Sequence, residues 1–151
     1  MTGQALTRLQ AATVAVAAKR AAAIPWAQVA QALDRSVVWS TSAVLGQQAL
    51  TAEQAATVCR LLDLPGEVEL ALQLPPDRTA VAVDLSDPLV YRLSEMVQVY
   101  GATIRELVGE EFGDGIVSAI DFELDVKREA DPKGDRAVLT LNGKFLPYRV
   151  W

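Results

Sequence analysis

Phe112-Gly-Asp-Gly-Ile-Val-Ser-Ala-Ile-Asp-Phe-Glu-Leu-Asp-Val-Lys127 is where the chain changes its structural period. Ile120, Phe122, Leu124 and Val126 alternate with Asp121, Glu123, Asp125 and Lys127, a spacing of two that puts one set on each face of a strand. Asp131-Pro-Lys-Gly134 then reads as a turn, Arg136 to Leu141 as a second strand, and Asn142-Gly143 as a hairpin signal before a last strand near Lys144. Upstream, Asp87 caps and Pro88 opens a helix that Gly101 ends, and Thr103 with Glu106 makes a capping box for another that Gly113 closes. Two helices and a few strands leave a sheet face and its edges uncovered. A domain over residues 87–151 built this way is expected to need other chains, with strands shared between subunits.

The first half has the helical period instead. Ala5 to Ala23 is Ala-rich, with Leu6, Leu9 and Val16 at roughly helical spacing. Pro25 suits the first turn of a second helix running to about Leu33, and Ser36 caps a third through Leu45, which Gly46 stops. Thr51 and Gln54 form a capping box for a fourth helix over Ala52 to Leu62, and Pro65 opens a short fifth. The pair Pro75-Pro76 breaks this pattern, so residues 76–86 read as a linker after a helical domain at 1–75. The fold class is α+β.

Composition removes several chemistries. Among 151 residues there is no histidine, so a His-dependent triad and a His-ligated zinc site are both excluded. Cys59 is the single cysteine, so no intrachain disulfide forms. No apolar run reaches the roughly 18 residues of a membrane span. Lys19 and Arg20 interrupt the Ala-rich stretch and no clear cleavage site follows, so a signal peptide is not expected and a cytoplasmic location is. The net charge is −5; residues 1–75 carry five basic and five acidic groups, residues 76–151 nine and fourteen. Neither half is a basic surface for nucleic acid. The two helices over 25–45 resemble a helix-turn-helix of the phage-repressor kind. Their recognition segment, Ser36-Val-Val-Trp-Ser-Thr-Ser-Ala-Val-Leu45, has no Lys or Arg to reach phosphates or guanines, so it reads as a packing module.

Three residues are candidates for chemistry. Arg92 and Glu95 lie three apart, hence on one helical face, and Ser118 follows the Gly113-Asp-Gly115 turn. Spacing alone favours plainer roles: a surface ion pair worth a few tenths of a kcal/mol, and a hydroxyl that satisfies a backbone group. The longer stretches around them say more. Asp87-Pro-Leu-Val-Tyr-Arg-Leu-Ser-Glu-Met-Val-Gln-Val-Tyr-Gly101 closely resembles the signature helix of cyanases. The stretch from Phe112 to Lys127 resembles the same family, as do Ala130-Asp-Pro, Leu141-Asn-Gly-Lys-Phe-Leu-Pro147 and, upstream, Leu45-Gly-Gln-Gln-Ala-Leu50.

The resemblance implies a repressor-like helical N-terminal domain, a C-terminal domain that interlaces in a dimer, and a ten-subunit ring of five dimers. It implies cyanate hydratase activity: bicarbonate-dependent decomposition of cyanate to carbamate and carbon dioxide, the carbamate then giving ammonia and carbon dioxide. The implied catalytic residues are Arg92, Glu95 and Ser118, with no metal or organic cofactor and bicarbonate as co-substrate. Ser94 stands where an aromatic residue is usual, Gly109 where a His is often seen, and Thr79 in a poorly matching stretch from Asp77 to Leu85. The alternative from another class is a DNA-binding regulator whose C-terminal half only oligomerises. A third is an oligomerisation module that binds no small anion.

Overall fold

The computed structural model describes residues 5–78 and 82–151. Thr79, and with it residues 79–81 of the expected linker, lies outside the described residues. The chain divides into two compact units, Met1–Ala80 and Val81–Trp151.

Among its described residues the first unit holds five helices: α1 (Arg8–Ala21), α2 (Trp26–Leu33), α3 (Val37–Val44), α4 (Ala52–Leu62) and α5 (Gly66–Leu72). Their starts follow local chemistry. Ser36 Oγ accepts from Trp39 N, and Thr51 and Gln54 cap each other's backbone amides. A second capping box, Thr7 with Gln10, opens α1 and had not been expected. The helices bury Ala11, Ala15, Val29, Leu33, Val44, Val58, Val68 and Leu72, among others, in one core. A buried Val or Leu contributes about 1.5–3 kcal/mol, so this unit has a hydrophobic interior of its own. Arg8 is buried with it and donates from Nη2 to the carbonyls of Ala43 and Gln48, clipping the end of α3 to the loop that follows.

The second unit contains one long helix, α6 (Pro88–Phe112), and a two-stranded antiparallel sheet of β1 (Gly115–Glu129) and β2 (Arg136–Pro147). Two expectations are corrected here. Gly101 does not end a helix: α6 runs through it, and no separate helix starts at Thr103. A helical glycine costs about 1 kcal/mol but breaks no backbone hydrogen bond, and the flanking helix-forming turns carry it. Asn142-Gly143 is not a turn, and among the described residues there is no third strand. The chain has already reversed at Asp131–Gly134, where Gly134 (φ 124°) donates to Asp131 O at 2.9 Å, and Asn142 and Gly143 pair with Glu123 and Phe122 in the middle of β2.

The register also breaks the expected alternation. Val117 pairs with Phe145 and Phe122 with Gly143, so residues 118–121 of β1 stand opposite Lys144 alone. This bulge removes Ile120 from the face it was expected to share with Phe122: its side chain is 98% exposed. At the other end of the sheet, Phe112 at the end of α6 stacks on Phe145, ring centroids 5.2 Å apart.

Candidate active site

α6 begins firmly. Asp87 Oδ1 accepts from Leu89 N at 2.9 Å and Val90 N at 3.0 Å, and Pro88 occupies the first turn, where its missing N–H has no cost. One turn further, Arg92 Nη1 donates to Glu95 Oε2 at 2.6 Å. The side chains are 69% and 44% exposed, so water screens the pair and its share in stability is small. Its effect is directional: the carboxylate holds the guanidinium through Nη1, and the other N–H groups of Arg92 have the chemistry to meet an anion. Arg92 also lies 5.5 Å from the centre of the Tyr91 ring.

Ser118 is the reverse case. It is 7% exposed, and its Oγ accepts from the amides of Ile120 at 3.1 Å and Asp121 at 2.9 Å. The plainer reading of this residue, a hydroxyl satisfying backbone groups, is therefore literally what it does. Those two amides are partners that an unbroken strand reading could not reveal. Within one chain the structure brings Arg92 and Glu95 together, and no hydrogen bond joins either of them to Ser118. A groove of about 990 Å³ lies along the end of α6 and the start of β1, bordered by Ile104, Arg105, Gly109, Ile116 and Tyr148 among others. It contains none of the three candidates.

The other possible centres are quiet. Cys59 is buried, and burial first and the charge of Glu69 second raise its thiol pKa above the ordinary value, away from the reactive thiolate. Among the described residues no group of three His, Cys, Asp or Glu side chains is arranged to hold a metal ion. On α3, where a repressor would read DNA, Ser40, Ala43 and Val44 are buried and no basic residue is present.

The family model described as "Cyanate lyase C-terminal domain" matches residues 82–150, and the one described as "Cyanate hydratase, N-terminal" matches residues 8–76. The chain belongs to the cyanate hydratase family. Its sequence is 50% identical to the cyanate hydratase of Thiobacillus denitrificans over 147 residues, covering 97% of this chain and 100% of that protein. It is 44% identical to the cyanate hydratase of Cupriavidus necator over the same shares of both chains. The crystal structure of cyanase from T. urticae is similar at a TM-score of 0.81 with 36% identity, covering 91% of this chain and 96% of that one. The α+β architecture with a helical N-terminal unit is thus that of a cyanate hydratase family member. Nothing in these relatives favours a DNA-binding regulator. Two departures from the family pattern gain a setting: Ser94 is half-buried on α6, and a side chain added at Gly109 would meet open space.

Proposed function

We propose that this protein decomposes cyanate in a bicarbonate-dependent reaction. A bicarbonate oxygen adds to the cyanate carbon, joining two monoanions into a dianion. Loss of carbon dioxide and uptake of one proton leave carbamate, which takes up a second proton from water and falls apart to ammonia and a second carbon dioxide. The difficult part is holding two like charges in line, and positioning alone can contribute on the order of 7–11 kcal/mol.

The observation that carries this reading is the Arg92–Glu95 pair at 2.6 Å on an exposed turn of α6, inside the segment matched by the cyanate lyase family model. Arg92 grips the anionic oxygens through its free edge. Glu95 orients Arg92, the role its contact favours over proton transfer. Ser118 donates its hydroxyl hydrogen to the same anion. Bicarbonate brings its own proton, so a chain without histidine is not handicapped. The reaction is expected to need no metal or organic cofactor.

In this reading the working enzyme is a homo-oligomer, with a ring of five dimers as its specific form and sites that take Arg92 and Ser118 from different chains. What supports it is that, among its described residues, the second unit buries no apolar side chain. Among the described residues no helix is long and apolar enough to cross a membrane. A chain with a single cysteine fits a reducing compartment, and the activity is assigned to the cytoplasm.

The test is ammonia release from cyanate with and without bicarbonate. Release that needs bicarbonate and survives a chelator is expected. Equal loss of cyanate after bicarbonate is stripped away would refute the reaction. Arg92→Ala and Ser118→Ala proteins, unfolded together and reassembled, are expected to regain part of the activity. Hybrid oligomers that stay inactive would place both residues in one chain.

A further inference from the structure

We infer that Gly143 is a positioning residue for Ser118: by carrying no side chain it lets β2 lie against the bulge at 118–121, whose amides hold the Ser118 hydroxyl as a pure hydrogen-bond donor. The inference rests on the reading above, in which Ser118 meets the bound anion.

The requirement for glycine at 143 is one of space. Its φ is not in the left-handed region, unlike those of Gly46, Gly113 and Gly134. A Cβ there would lie 2.5 Å from Val117 Cγ1, 2.6 Å from the Ser118 carbonyl oxygen and 3.3 Å from Phe122 Cδ2. These neighbours belong to the bulge or flank it. The Ser118 carbonyl is backbone and cannot swing aside, so any side chain at 143 must displace the residue that carries the hydroxyl. The Asn142-Gly143 pair, which reads as a turn in the sequence, thus serves the site from the middle of a strand.

What the bulge does to Ser118 follows from counting. A hydroxyl has two acceptor lone pairs and one hydrogen. The amides of Ile120 and Asp121 occupy both lone pairs, at 3.1 and 2.9 Å. Only the hydrogen is left to offer. Two donors pulling on the oxygen polarise the O–H bond, which strengthens it as a donor and weakens the oxygen as a nucleophile. The bulge therefore hands the anion a short polar relay, backbone amide to hydroxyl to substrate oxygen, and closes the route to a covalent seryl intermediate.

Four variants of the full chain test this by kinetics: Gly143→Ala, Ser118→Ala, the double variant and Ser118→Cys. Ser118→Ala is expected to lose about 10²-fold in kcat or more, as when an oxyanion donor is removed. Gly143→Ala is expected to lose at least about tenfold, chiefly in kcat, because the displaced donor acts in the transition state. In the Ser118→Ala background, Gly143→Ala should cost almost nothing more, since the group it positions is gone. An equal loss in both backgrounds, or normal activity in Gly143→Ala, overturns the inference. Ser118→Cys exchanges a good donor for a better nucleophile and should be as poor as Ser118→Ala; recovery of activity overturns the donor role. Should Gly143→Ala fail to assemble, the wild-type protein tests the pinned hydroxyl: exchange of the Ile120 and Asp121 amides is expected to be slow and to accelerate in Ser118→Ala. Fast exchange in the wild type overturns the pinned hydroxyl. Normal turnover in Ser118→Ala would remove Ser118 from the chemistry and take this inference with it, leaving bicarbonate-dependent cyanate decomposition intact.

Discussion

Residues 5–78 bury sixteen apolar side chains, and residues 82–151 bury none. The contrast is not one of composition. α6 alone carries Leu89, Met96, Val97, Val99, Tyr100, Ile104, Leu107 and Phe112, each between 47% and 70% exposed. In the first unit five short helices pack around one another; in the second a 25-residue helix and a two-stranded hairpin have too few layers to enclose anything. In the reading proposed above, further copies of the chain cover this apolar surface. The comparison also separates labour: the self-sufficient unit holds no candidate for chemistry, and all three candidates sit on the unit that lacks a core.

The strongest way to break this contrast is to cut a leucine from each unit. Leu72→Ala removes a side chain with no exposure and should destabilise the helical unit by about 2–5 kcal/mol, read as a lower melting midpoint. Leu107 is 61% exposed in the single chain, where truncation should be nearly neutral. If α6 is covered by further copies, Leu107→Ala will instead weaken assembly and make the melting midpoint depend on protein concentration. A neutral Leu107→Ala in a stable oligomer would show that this part of α6 faces water after all.

Next in size is Arg92→Lys. The charge is kept but the planar fork that meets both Glu95 and an anion is lost, and about a 10²-fold fall in kcat/KM is expected. Because the pair is exposed, thermal unfolding should not move. Near-normal turnover would take Arg92 out of the mechanism; a large loss of stability would make the pair structural, like the contacts of the first unit.

The smallest effect lies at the hairpin tip, where polar contacts do what packing does elsewhere. The Lys133 amide first, and Arg136 second, hold the Asp131 carboxyl below the usual carboxylate range. A depressed folded pKa stabilises the turn at neutral pH, and that contribution fades as pH drops below the unfolded value of about 3.9 and through the folded one. Protection of the Lys133 amide, corrected for intrinsic exchange, should therefore decline below about pH 4, and Asp131→Asn should flatten the decline. Unchanged protection through that range would mean the tip is held by something other than Asp131.

Legibility in the sequence follows the same division. Thr51 with Gln54 located α4 to the residue, and Ser36 and Asp87 located the starts of α3 and α6, because a cap is a local interaction between neighbours in the chain. The Arg92–Glu95 contact was legible for the same reason. Gly101 and Asn142-Gly143 misled because their usual meaning is also local, while their setting here is not: one is carried by the turns of α6 around it, the other by a partner strand some twenty residues away. The bulge at 118–121 depends on pairing across the hairpin, so nothing in its own four residues announced that two amides would seize the Ser118 hydroxyl.

That bulge also acts as an expansion joint. Beyond it, Phe122–Glu129 and Arg136–Gly143 run in one unbroken register to the tip; before it, Gly115–Val117 and Phe145–Pro147 hold a register of their own. The outer arm could be shortened or lengthened by matched pairs of residues without shifting the frame in which Ser118 sits. Reach and chemistry are thereby uncoupled along a single hairpin, and an engineer could vary the first as a ruler while leaving the second untouched.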